Sequence, residues 1–249
     1  MKMKSSVFLD KPESSSCVDL SCIERIPERI LSRLKEYKKL FKREEFIDNL
    51  SEVPEILEIV EELNDLADKK GIVGYHFTRN FKTSIERNGL IVKTCEERRE
   101  DFVKEYNTLF TPQQMNRIID IWNSDFVEGQ NKVRDTRIWF NLTRNGLNNR
   151  GAELLLSHFG GEVIYFHLMG DAEIKAILMS IGEPMIVKCS LETKSLKTFP
   201  LFPWGKVWLS TYQRSINHRA NFNDPDVYTG SSIKPENIIG IEVLSDNEF

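Results

Sequence analysis

The chain is poor in cysteine: four among 249 residues, at Cys17, Cys22, Cys95 and Cys189, with neither a Cys-x-x-Cys pair nor a Cys/His ligand set. That spacing argues against a disulfide framework and against a thiolate metal site, and it reads as reduced thiols in a cytoplasmic protein. No window approaches the roughly 20 apolar residues of a membrane span. Met1-Lys2-Met3-Lys4 leads toward Asp10 and Glu13 instead of an apolar signal core, so neither membrane insertion nor signal-peptide secretion is expected. An excess of positive charge is missing too. The formal net charge of -4 argues against a protein that coats nucleic acid by charge alone, while leaving room for a local basic groove. Gly-x-Gly-x-x-Gly, P-loop and nucleophile-elbow motifs are absent, and His158, His167 and His218 show no metal spacing.

What remains is an ordinary folded composition, 40% hydrophobic and 29% charged. Residues 1–22, with Pro12, the run Ser14-Ser15-Ser16 and few large apolar groups, read as a flexible tail. Residues 23–70 read as a helical region. Ile30, Leu31, Leu34, Tyr37, Leu40 and Phe41 recur at three- and four-residue steps after Pro27, and Ile56, Ile59, Val60, Leu63 and Leu66 do so after Pro54.

From residue 71 the texture turns mixed. Ile72 to Phe77 reads as a strand, Asn80 as the cap of a short helix ending at Asn88-Gly89, and Leu90-Ile91-Val92 as a further extended piece. Thr94-Cys95-Glu96-Glu97 and Thr111-Pro112-Gln113-Gln114 both match the capping box, which predicts two helix starts. Helices are expected around 153–157 and 162–180, and strands at 137–142, 185–191, 206–209 and 238–244. Regular β/α alternation is lacking, so the expected class is α+β, with a mixed or antiparallel sheet core and a helical N-terminal extension.

Three stretches carry residues suited to chemistry. In a strand of period two, His76 and Thr78 of Tyr75-His76-Phe77-Thr78 share a face and reach one ligand. Around Arg137-Ile138-Trp139-Phe140, the cations Lys132, Arg134, Arg137, Arg144 and Arg150 outnumber Asp135, and interleaved Asn and aromatic residues suit a surface that grips phosphate and stacks a flat ring. A solvated basic loop is the plainer alternative. Two carboxylates stand apart from these: Asp226 ahead of Val227-Tyr228-Thr229, and Glu162 after the Gly160-Gly161 turn, where its charge complements the start of a helix.

The Tyr75–Thr78 segment, followed by Ile85 and Asn88-Gly89-Leu90, resembles the opening of ADP-ribosyltransferases of the diphtheria-toxin-like and DarT-like branches. The basic stretch and the C-terminal Pro235-Glu236-Asn237-Ile238 step resemble later parts of the same family. The resemblance spans about residues 72–245 in short motifs, within a unit expected over 71–249. It implies NAD as substrate, with no metal. His76 is then the hydrogen-bond partner of a ribose hydroxyl, with Thr78, Asn80, Arg137 and Phe140 helping to hold the dinucleotide. Asp226, Glu162 and Arg134 become the catalytic candidates, with Tyr165 or Tyr212 against nicotinamide. The family has Glu where this chain has Asp226, one methylene shorter.

The implied activity is transfer of ADP-ribose to a macromolecule, nucleic acid or protein, in a toxin or effector setting, with the 23–70 helices open to a neutralising partner. Two other readings stand beside it: a degenerate module that binds NAD, RNA or a partner, and an RNA 2'-phosphotransferase.

Overall fold

The computed structural model describes residues 17–124, 134–245 and 247–249. Helices and antiparallel strand pairs make an α+β architecture. β1 (Ile72–Asn80) pairs antiparallel with β3 (Glu183–Leu191), and β3 pairs antiparallel with β5 (Ile238–Val243). A second ladder joins β2 (Ile138–Phe140) to β4 (Val227–Thr229), again antiparallel. The two ladders meet where Tyr75 and Asn141 exchange backbone hydrogen bonds of 2.8 and 3.0 Å.

Alternation along β1 sorts its side chains. Val73, Tyr75 and Phe77 pack with Ala152 and Leu156 of the Arg150–Ser157 helix. Ile72 joins the opposite core with Met185, Val187 and Leu191, and His76, Thr78 and Asn80 share its parity along the strand. That larger core also takes the buried stripe Ile56, Ile59, Val60 and Leu63 of the Pro54–Lys70 helix, which packs against the Pro203–Ile216 helix. A third apolar cluster, built on Phe102, Trp122, Ile164 and Leu178, unites the Cys95–Tyr106, Pro112–Ser124 and Ala172–Ser180 helices.

Both expected capping boxes form. Thr94 accepts from the Glu97 N–H while Glu97 reaches back to the Thr94 N–H, and Thr111 and Gln114 do the same. Gly89 closes the Lys82–Asn88 helix at φ +74, as its Asn-Gly ending predicts.

Other expectations are corrected. The stretch 206–209 is helix, inside Pro203–Ile216. Val207-Trp208-Leu209 alone suits a buried strand or a buried helix, but Trp204, Val207, Trp208 and Tyr212 bury at helical steps in the core that also takes the 54–70 helix. Asn80 ends β1 and does not cap the following helix: Phe81 is the N-cap, and the Asn80 Oδ1 accepts the Phe81 N–H at 2.8 Å. The expected strand 90–92 shrinks to a bridge between Leu90 and Ile233. The single helix expected over 162–180 breaks into Glu162–Tyr165 and Ala172–Ser180, because Asp171 caps the second piece by accepting the Glu173 and Ile174 N–H groups. Of the expected tail, residues 1–16 lie outside the described residues, but Val18 bridges Ile72 and Leu20 is fully buried. Among the described residues, no helix is long and apolar enough to cross a membrane.

Candidate active site

A cleft of about 820 Å3 opens beside β1, within the roughly 300–1,000 Å3 common for small-molecule sites. β1 contributes His76, Thr78 and Asn80, the segment entering β2 contributes Arg134 and Arg137, and β2 contributes Phe140. Glu162 and Asp226 also line it. Residues nominated from separate stretches of sequence thus border one cavity. Lys132 lies outside the described residues.

His76 is partly buried, and its Nδ1 lies 2.9 Å from the Trp139 carbonyl oxygen. A carbonyl only accepts, so Nδ1 carries the proton in this bond. Burial, with a smaller push from the Arg98 charge, lowers the imidazole pKa to about 4. The ring is therefore neutral near pH 7 and Nε2 carries a lone pair, the form that accepts a hydrogen bond from a hydroxyl. Phe140 packs beside it, ring centroids 5.8 Å apart.

The approach to β2 is tightly turned. Thr136 sits at φ +52, a left-handed conformation that β-branched residues rarely adopt, between Asp135 and Arg137. Asp135 accepts the Cys95 N–H at 2.8 Å and so ties this turn to the Cys95–Tyr106 helix. The Arg137 guanidinium stacks on Tyr228 at 4.3 Å and reaches Trp139 at 5.9 Å, while Trp139 and Tyr228, register partners across β2 and β4, lie 4.7 Å apart. Arg134 donates from Nε to Glu162 at 2.5 Å and lies over the Phe166 ring.

The two candidate carboxylates differ in setting. Glu162 opens its short helix after Gly161 at φ +73 and is engaged by Arg134. Asp226 has its pKa raised, first by burial and then by the negative charge of Glu162, which places the two groups in each other's field. The Asp226 backbone is held through its carbonyl by the Thr198 hydroxyl at 3.2 Å. Two residues earlier, Asp224 accepts from the Leu142 N–H, the Thr143 N–H and the Thr143 hydroxyl at 2.7, 3.2 and 2.7 Å, clipping the exit of β2 to the entry of β4.

Neither tyrosine expected against nicotinamide lines the cleft. Tyr212 packs edge-on against Phe41 in the large core, and Tyr165 is buried against His158 at 5.1 Å. Both rings serve packing, since helical periodicity turns them inward. Two residues of the expected basic stretch also lie elsewhere: Arg144 pairs with Glu242 at 2.6 Å, and Arg150 starts its helix outside the lining. Conversely, one face of the 95–106 helix, carrying Arg98, Asp101, Glu105 and Tyr106, forms a wall that sequence reading missed. The i, i+3, i+7, i+8 spacing of those residues was the available signal. Among the described residues, no group of three or more His, Cys, Asp or Glu side chains could hold a metal ion.

No known protein family matches the chain, and no curated protein or solved structure matches it.

Proposed function

We propose that the protein is an NAD-dependent mono-ADP-ribosyltransferase acting on a macromolecule, with the cleft beside β1 as its active site. The observation that carries this reading is convergence: His76, Thr78 and Asn80, Arg134, Arg137 and Phe140, and the carboxylates Glu162 and Asp226, nominated from separate stretches of the chain, line a single cavity. In this reading a ribose hydroxyl donates to the His76 Nε2, which the Trp139 bond supports as the acceptor nitrogen. Thr78 and Asn80 seat the dinucleotide along β1, and Phe140 packs beside the imidazole. Arg137, stacked on Tyr228, meets the ligand at the cleft edge.

Breaking the bond between ribose C1' and the nicotinamide nitrogen sends the electron pair out with nicotinamide. Positive charge builds on the ribose, and the acceptor's nucleophile then bonds C1' and loses its proton. An ionised carboxylate near that charge stabilises the transition state more than the ground state. Asp226 takes this role, with Glu162 the second candidate and Arg134 the residue that positions Glu162. A basic, aromatic rim of Arg137, Trp139 and Tyr228 favours nucleic acid over protein as acceptor.

Labelled NAD incubated with the protein and, separately, with RNA, single-stranded DNA and a cell lysate tests this. Label on an acceptor, lost in His76→Ala and Asp226→Ala, is the expected result; no transfer and no nicotinamide release in any mixture would reject the enzyme. Two observations favour a second reading, an NAD-binding module without chemistry: Glu162 is already ion-paired, and Asp226 is a shorter side chain than the Glu of the ADP-ribosyltransferases that the chain resembles. NAD binding without cleavage would select it. Growth arrest on expression in bacteria would support a toxin role.

A further inference from the structure

Among the described residues, four cations line the cleft, Lys93, Arg98, Arg134 and Arg137, and three of them are already engaged. Lys93 pairs with Asp101, Arg134 with Glu162, and Arg137 stacks on Tyr228. Arg98 differs. Its Nη2 donates to the Ile91 carbonyl at 3.1 Å, and among the described residues no carboxylate hydrogen-bonds it. Asp101, whose charge acts on it, is bonded to Lys93. A guanidinium carries five N–H donors, and a partly buried one is costly to leave without an anion.

The side chain is also pre-positioned. Arg98 sits in the first turn of the Cys95–Tyr106 helix, which the Thr94–Glu97 capping box and the Asp135 carboxylate on the Cys95 N–H both pin. Arg98 and His76 both line the cleft, and the Arg98 charge acts on the imidazole. One supplies donors to an oxyanion, and the other accepts from a hydroxyl. A phosphorylated ribose presents both groups a few bonds apart.

We propose that Arg98 is the phosphate-binding residue of the cleft, taking an oxygen of the ligand's phosphate while His76 takes its ribose hydroxyl. The inference rests on the NAD reading for the ligand's identity, and it moves the phosphate contact from the β2 approach, where sequence placed it, to the helical wall. A planar guanidinium binds two phosphate oxygens at once, which an ammonium cannot do.

Isothermal titration of the full chain with ADP-ribose, ADP, adenosine and inorganic pyrophosphate separates the contributions, using Arg98→Gln and Arg98→Lys. Loss of one charge-assisted contact weakens ADP-ribose and ADP by roughly ten- to hundredfold in Arg98→Gln. Adenosine binding stays as in the wild type, and Arg98→Lys falls between. Equal ADP-ribose affinity in wild type and Arg98→Gln, with unchanged thermal midpoints, overturns the proposal and leaves the NAD reading intact. If Arg98→Gln fails to fold, Arg98→Lys decides: unchanged affinity for ADP-ribose overturns the proposal. A wild type that binds pyrophosphate through Arg98, but neither NAD nor ADP-ribose, rejects the NAD reading and supports the anion site.

Discussion

The Trp139 carbonyl holds the His76 imidazole at 2.9 Å, so a backbone group of β2 decides the tautomer of a side chain on β1. The two strands belong to different ladders, joined beside this bond at Tyr75 and Asn141. The hydrogen-bonding character of the cleft therefore depends on how the ladders meet.

The first prediction concerns that tautomer. Nitrogen NMR of His76 is expected to show Nδ1 protonated and the ring neutral down to about pH 5, titrating near 4. His76→Ala is expected to weaken NAD binding about tenfold or more, as loss of a buried hydrogen bond with its partner left unpaired implies. A ring that titrates at an ordinary histidine pH would remove the basis for Nε2 as acceptor.

A second prediction follows from Asp226. Its pKa is raised, so the charged form needed for catalysis is lost on acidification at a higher pH than for an ordinary aspartate. Glu162→Gln removes a like charge and moves the acid limb of the transfer rate to lower pH. Asp226→Ala abolishes transfer at every pH, measured as label incorporated over time. Transfer lost in Glu162→Ala but kept in Asp226→Ala would exchange the two roles.

Asp224 carries a third. Asp224→Ala leaves the Leu142 and Thr143 N–H groups without their acceptor, at a cost of about 1–3 kcal/mol for each buried donor, read from urea unfolding. Burial raises its pKa to about 6, above the unfolded value near 3.9. The folded state then binds more protons between those values, so this group's contribution to stability declines as pH rises from about 4 to 6. Comparison with Asp224→Asn over that interval isolates the slope, which is expected to be absent in the variant.

Gly205 provides the fourth. A Cβ there would lie 2.0 Å from the Val60 carbonyl oxygen, where the 54–70 and 203–216 helices touch. Gly205→Ala is expected to destabilise by about 1–3 kcal/mol through overpacking, with a lower thermal midpoint. A midpoint equal to the wild type's would mean that the helices do not pack this closely.

Much of the local structure was legible in the chain. Capping boxes at Thr94 and Thr111, the Asn88-Gly89 stop and the two-residue alternation around His76 are short-range signals, because each depends on neighbours within one turn or one strand. The same alternation put His76 and Thr78 on one face of β1, and both line the cleft. Where a run suits two periods, as at Val207-Trp208-Leu209, only the partner surface on the 54–70 helix chose between them.

The sequence by itself determined the candidate chemistry: a neutralisable imidazole, isolated carboxylates and a basic, aromatic strand entry. Tertiary structure decided which of these share a cavity. It turned Tyr165 and Tyr212 into core, engaged Arg134 with Glu162, and placed Arg98 on the same cleft as His76. The reason is physical. Helix caps and strand alternation are set by residues a few positions apart, whereas the protonation and pairing of a charged group depend on burial and on charges that only folding brings near.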